Sequence, residues 1–225
     1  MESNKKHNIL RDMVNKIAED NVSVYLIRHG ATDFNSPVGK DDRIRGWLDV
    51  KLNKQGKEEA KQDGEYLKKE KISKIYSSDL SRTKETSEIL NKNFNVPIIY
   101  TKSLRPWNLG IYQGQSSEKV HKELEQYVKD PNKKVEGGES FNTFLNRYLG
   151  EMRKILDEAK KTKKEYFIVT HYRNLKVAQA WKKFGSKDQS LDDATLFSNN
   201  LDTGAVICCD WDSKNNQWKL KKLKI

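Results

Sequence analysis

Cysteine, proline and long apolar runs are all scarce in this chain, which has two cysteines and four prolines among 225 residues. Cys208 and Cys209 are adjacent in an apolar run, where a mutual disulfide would be badly strained and no framework of bridges can be drawn. This points to a reducing compartment and a cytoplasmic protein. No stretch reaches the roughly 18 uninterrupted apolar residues of a membrane helix, and the opening MESNKKHNIL holds no apolar core of a secretory signal. A soluble protein that is not exported, with no membrane partner, is expected. Also missing are an HExxH pair, a Cys/His zinc spacing and a Gly-Lys-Ser/Thr phosphate loop, so neither a metal nor a cofactor is expected. Acid is the minority charge: 32 Asp and Glu against 43 Lys and Arg leave a net charge of +11. That excess suits nucleic acid, an acidic surface or an anionic small molecule, and by itself does not choose among them.

With 33% charged residues and a mean hydropathy of −0.91, disorder is the first alternative to exclude. The apolar residues are, however, gathered in short blocks, as in a packed fold. Val22–Ile27, Ile72–Tyr76, Val96–Tyr100, Tyr166–Thr170 and Ala205–Cys209 are rich in β-branched and aromatic residues and read as strands. Helical spacing fills Lys54–Lys71, Ser81–Asn91 (after a Ser-Ser-Asp start) and Phe141–Lys160, where Phe141, Phe144, Leu145, Tyr148, Met152 and Ile155 share a broad apolar stripe. Strands alternating with helices imply parallel βαβ units and a three-layer α/β/α sandwich around a mostly parallel central sheet. One domain spanning 1–225 is expected. Within it, residues 1–21, with Ile9, Met13 and Ile17 on one face, read as an extra amphipathic helix. The polar segment 115–137, interrupted by Asp130-Pro131-Asn132, reads as an insertion or lid.

Open α/β sheets bind ligands beyond the carboxyl ends of their strands. After the first strand stand Arg28-His29-Gly30; after the second, Ser77-Ser78-Asp79-Leu80-Ser81-Arg82; after Tyr166–Thr170, His171-Tyr172-Arg173. Two arginines and two histidines thereby converge on one rim. Arginine brings fixed, bidentate, permanently charged donors, and histidine donates a hydrogen bond or attacks phosphorus, so the set suits a tetrahedral phosphoryl group. The bland alternative, an isolated histidine or a solvated arginine, explains any one of these residues more readily than it explains their convergence.

Leu26-Ile27-Arg28-His29-Gly30-Ala31-Thr32-Asp33-Phe34-Asn35 resembles the signature of the histidine phosphatase superfamily, the phosphoglycerate mutase-like proteins. The likeness continues, in that family's order, through Arg45-Gly46-Trp47-Leu48-Asp49 with Gly56, through Ser77–Thr83, through Gly137-Gly138-Glu139-Ser140 and through Val169-Thr170-His171. It implies a phosphoglycerate mutase-like fold and a metal-independent phosphatase acting on a phosphomonoester or another phosphorylated small molecule or protein. His29 is then the nucleophile and becomes a phosphohistidine that water hydrolyses. Arg28, Arg82 and His171 bind the phosphoryl oxygens, with Asn35 as a further contact.

The run Leu104-Arg105-Pro106-Trp107-Asn108-Leu109-Gly110-Ile111-Tyr112-Gln113-Gly114 departs from the family. Pro106 stands where many members carry the glutamate that protonates the leaving group, and Gln113 replaces a second glutamate. Glu139 is the first substitute acid to consider, ahead of Asp33 and Asp79, although a charge ahead of the helix Phe141–Lys160 explains Glu139 equally well. Without an acid, substrates with good leaving groups are favoured. Trp107 reads either as a wall of the pocket or as a half-buried loop residue; Tyr172 narrows the site or adds a hydroxyl; Arg105 and Arg173 are either exposed or bind the rest of an anionic substrate. Two rival functions stay open: a mutase-type phosphotransferase, and a non-catalytic member that binds anions or nucleic acid. The lysine-rich tail Lys214–Ile225 supports the latter, but a basic edge strand explains it too, and no basic and aromatic interleaving is present, so nucleic acid is not an expected partner. The expected partner is an anionic phosphorylated substrate, with a homodimer left open.

Overall fold

The computed structural model describes residues 22–35, 42–198 and 201–224. The expected helix over 1–21 therefore lies outside the described residues. The chain runs β1 (Ser23–Arg28), α1 (Lys54–Leu67), β2 (Ile72–Ser78), α2 (Ser81–Asn91) and β3 (Ile98–Thr101), then α3 (Ser117–Lys129), α4 (Phe141–Thr162) and β4 (Glu165–Thr170), and closes with α5 (Tyr172–Ala180), α6 (Asp193–Phe197), β5 (Val206–Asp212) and β6 (Gln217–Lys224). One six-stranded sheet has the order β3-β2-β4-β1-β5-β6. The pairs β2/β3, β2/β4 and β1/β4 are parallel, whereas β5 runs against both β1 and β6.

Alternation along the strands sorts the core into two layers. Val24, Leu26, Ile168, Ile207 and Cys209 face a cluster that takes in the stripe of α4 and the apolar residues of α5. Tyr25, Ile27, Phe167, Val169 and Cys208 face the other way, onto Leu67 of α1 and Leu90 of α2. Side chains two apart share a face, so a strand covered on both sides needs apolar residues at every position. This arrangement is the expected three-layer sandwich. The adjacent cysteines point into different layers and are both free thiols.

Several local expectations are refined by the structure. Strand β3 starts at Ile98 rather than Val96, because Pro97 has no N–H for the ladder; its carbonyl instead accepts from Ile75 N at 3.0 Å. The tail forms β6 on the sheet edge, which realises the edge-strand reading. Helix α5 had no helical period to announce it, since Asn174, Leu175, Lys176, Val177, Ala178 and Ala180 are all buried. Segment 115–137 contains α3, an amphipathic helix that sends Val120, Leu124 and Tyr127 into the first core cluster and stops just before Pro131. Helix α2 is not capped by the Ser-Ser-Asp run. Asp49, from the loop before α1, accepts Ser81 N at 2.6 Å and Ser81 Oγ at 2.9 Å.

Candidate active site

Register brings the two histidines together. Arg28 at the end of β1 lies opposite Thr170 at the end of the parallel neighbour β4, so His29 and His171 occupy matching positions one step beyond. Strands are about 4.8 Å apart, and the two rings meet with centroids at 5.3 Å and an interplanar angle of 64°. Both residues are buried. Glycine permits the tight exit from β1: a Cβ on Gly30 would run into the Gly56 carbonyl, and one on Gly56 into the Ala31 carbonyl, so the two backbones touch where α1 begins. Ala31 N is further held by Glu59 Oε2 at 2.8 Å.

The hydrogen bonds fix the tautomers. His29 Nδ1 lies 2.7 Å from the Gly30 carbonyl, an acceptor only, so in the neutral ring Nδ1 carries the proton and Nε2 keeps its lone pair. His171 has the opposite arrangement. Its Nδ1 accepts from Arg82 Nε at 3.3 Å, which puts the proton on Nε2, 2.9 Å from Ser78 Oγ. Burial, and then the positive charge of Arg82, hold both imidazoles well below their ordinary value of 6.5. Arg28 adds to this at His29, while at His171 the next contribution is His29 itself. Neutral rings are the outcome at physiological pH.

Arg82, in the first turn of α2, is 1% exposed. Its Nη1 and Nη2 donate to the carbonyls of Leu48 and Gly46, each at 2.8 Å, so the loop between β1 and α1 grips the guanidinium while Asp49 of the same loop caps the helix that bears it. Arg28 Nη1 donates to the Leu201 carbonyl at 2.8 Å, and its guanidinium lies 5.0 Å from the centre of the Tyr172 ring. Burial first and the nearby Arg45 second push Arg28 down to about 10 and Arg82 to about 9, and both stay charged at neutral pH. Arg45 sits in the loop between β1 and α1, not at a strand end. The residue after it, Gly46, accepts from Arg82 Nη2 at 2.8 Å, and the charge of Arg45 lowers both histidines and both arginines. The available signal was its position immediately before Gly46 in a segment that already carried the family likeness.

The other expected residues take different places. Asn35 turns its Oδ1 to Thr32 N at 3.1 Å and Thr32 Oγ1 at 3.0 Å, which closes the turn after the histidine motif. Glu139 Oε1 accepts from Arg147 Nη2 at 2.7 Å and from Asn108 N at 2.9 Å, just ahead of Ser140, the N-cap of α4. An acid role would require it to give up that ion pair. Asp79 is gripped by Arg105 through Nε at 2.6 Å and Nη2 at 2.7 Å, and it sits below its usual range although burial opposes this. Arg105 is thus paired rather than free. Trp107 is core and not pocket wall, 1% exposed and 5.0 Å from Phe141 between ring centroids. Trp47, half-buried, instead carries Arg105 over its ring at 4.7 Å and donates from Nε1 to the Pro106 carbonyl at 2.8 Å. Tyr172 lies against Arg28, and its hydroxyl donates to the Ser198 carbonyl at 3.3 Å. Asp33 is exposed. Among the described residues no group of three His, Cys, Asp or Glu is placed to hold a metal ion, and no helix is long and apolar enough to cross a membrane.

This arrangement can do one kind of chemistry well: it offers a neutral imidazole with a free lone pair amid fixed, charged donors, the requirement for taking up a phosphoryl group. Comparison with known proteins points the same way. The family description "histidine phosphatase superfamily (branch 1)" matches residues 24–223. Phosphoglycerate mutase-like protein 4 of Arabidopsis thaliana is 33% identical over 160 residues, 68% of this chain and 67% of that protein. The probable phosphoglycerate mutase GpmB of Salmonella choleraesuis is 31% identical over 131 residues, 56% of this chain, and the chain spans only 59% of that protein. Among solved structures, a mycobacterial glucosyl-3-phosphoglycerate phosphatase superposes with a TM-score of 0.68 at 20% identity, covering 91% of this chain and 99% of that one, a likeness of fold.

Proposed function

Because this chain belongs to the histidine phosphatase superfamily, we propose that it is a metal-independent phosphatase that works through a phosphohistidine on His29. The observation that carries the reading is the Nδ1 contact of His29 with the Gly30 carbonyl, which leaves Nε2 unprotonated among Arg28, Arg82 and His171. The Nε2 lone pair attacks phosphorus, an N–P bond forms, and the bond from phosphorus to the leaving oxygen or nitrogen breaks with its electron pair going to the leaving group. Water then attacks the phosphohistidine. Its oxygen joins phosphorus, its proton goes to solvent, the N–P bond breaks, and the neutral ring and inorganic phosphate are restored. Arg28 and Arg82 spread the charge that builds on the peripheral oxygens, and His171, its tautomer set by Arg82, donates from Nε2 once a phosphoryl oxygen takes the place of Ser78 Oγ.

Asp79 and Glu139 are committed to donors of the protein, Asp33 is exposed to solvent, and Pro106 has no proton to give. The leaving group therefore departs without a built-in acid, which favours phosphoramidates, acyl phosphates and aryl phosphates over alkyl esters. Brief incubation with radiolabelled acetyl phosphate followed by quenching tests the mechanism: an acid-labile, base-stable label on the wild type and none on His29→Ala is expected. Undiminished turnover in His29→Ala rules the mechanism out. Release of label as inorganic phosphate, rather than onto an added alcohol or phosphoglycerate, separates phosphatase from mutase.

A further inference from the structure

Two kinds of partner hold the arginines of this region. Arg105 is gripped through Nε and Nη2 by Asp79, and Arg147 gives an Nη2 proton to Glu139, so in both a carboxylate occupies the guanidinium edge where an anion would bind. Arg28 is held differently. Its Nη1 donates to the Leu201 carbonyl at 2.8 Å, its Nε is buried with no hydrogen-bond partner among the described residues, and its Cζ lies over the Tyr172 ring, 5.0 Å from the centre. An aromatic ring attracts a cation through its face, whereas phosphoryl oxygens bond to a guanidinium in its plane. A ring therefore steadies the charge without competing for the donors, as a carboxylate would.

Resting on the phosphatase reading above, we propose that Tyr172 is a positioning residue for Arg28: its ring holds the guanidinium by the face and leaves the Nε edge open for the oxygens of a phosphoryl group. The ring is itself well anchored. Tyr172 opens α5 directly after His171, and its hydroxyl donates to the Ser198 carbonyl at 3.3 Å. Lys176, one turn further along α5 and fully buried, donates to Ser198 Oγ at 2.6 Å, and that hydroxyl passes its own proton to the Thr195 carbonyl at 2.9 Å. Ser198 lies three residues ahead of Leu201, the other partner of Arg28, so both groups that touch the guanidinium are tied to one short stretch of chain. Such fixing has a physical purpose, because Arg28 is desolvated and Arg45 repels it.

Titration calorimetry with orthovanadate, a tetrahedral oxyanion, tests this without any turnover, so its outcome is separate from that of the phosphohistidine experiment. Tyr172→Leu and Tyr172→Met each remove the ring while filling its place, and are expected to weaken vanadate about tenfold, within the range of a desolvated cation–π contact. Tyr172→Phe keeps the ring and loses only the bond to Ser198, so it is expected to stay within about threefold of the wild type. In an Arg28→Gln background the ring has no guanidinium to hold, and adding Tyr172→Leu is expected to weaken vanadate by less than about twofold. Three results, each in protein folded by circular dichroism, overturn the proposal: unchanged affinity in both ring-free variants, a loss in Tyr172→Phe as large as theirs, or the same tenfold loss when Tyr172→Leu is added to Arg28→Gln.

Discussion

Arg82 Nε donates to His171 Nδ1 across 3.3 Å, so a single guanidinium both charges the site and decides which nitrogen of the second histidine carries the proton. Lysine at this position keeps the charge and loses the fork that reaches His171, Gly46 and Leu48 together. For Arg82→Lys, kcat/KM on an aryl phosphate is expected to fall about 10²–10³-fold, the range seen when one preorganised donor to a developing oxyanion is removed. A loss of only a fewfold, in protein with unchanged circular dichroism, would deny Arg82 this double role.

Acid should weaken the fold in a defined window. In the unfolded chain an imidazole titrates near its ordinary 6.5, while in the fold His29 and His171 stay neutral well below it. Between those values the unfolded chain binds protons that the folded one excludes, so stability is full above 6.5 and declines as pH drops through it, by up to about 1.4 kcal/mol per pH unit for each histidine. Urea midpoints measured from pH 8 to pH 5 check this. His171→Asn is expected to flatten the decline; an unchanged slope in that variant assigns the effect elsewhere.

Leaving-group chemistry follows from the engaged carboxylates around the rim. A built-in general acid contributes about 10²–10⁴-fold and shields the rate from the basicity of the leaving group. With Asp79 on Arg105 and Glu139 on Arg147, rates across a graded series of aryl phosphates are expected to drop steeply as the phenol becomes more basic. A flat series would reveal an acid that these pairings conceal.

The contact of Gly30 with Gly56 makes the exit from β1 intolerant of a methyl group. A Cβ at residue 56 lands on the Ala31 carbonyl, a backbone atom that cannot swing away. Gly56→Ala should cost about 1–3 kcal/mol, as overpacking does, and should lower kcat more than a surface change of equal stability cost, since Ala31 is two residues from His29. Thermal melts beside kcat for Gly56→Ala and for an exposed control in α1 such as Lys61→Gly, which costs about 1 kcal/mol through helix propensity, read both effects.

Much of this was legible in the chain. Apolar blocks rich in β-branched and aromatic residues placed β1, β2 and β4, and the rule that ligands gather beyond strand ends selected Arg28, His29, Arg82 and His171. What escaped had physical causes. Helix α5 is buried over most of its surface and shows no stripe, and Pro97 delays β3 by removing a donor. Arg45 lies in a loop, not at a strand end, and the contact of that loop with Arg82 through the Gly46 carbonyl is tertiary. The partners of Glu139 and Asp79 are Arg147 and Arg105, eight and twenty-six residues away, and no local pattern announces either pairing.

The two neighbouring thiols face opposite layers of the sandwich, Cys208 toward α1 and α2 and Cys209 toward α4 and α5. Chain neighbours are therefore reporters on separate compartments. The order in which a thiol reagent modifies them times the opening of one layer against the other, and simultaneous modification is the mark of a molecule that unfolds as a single unit.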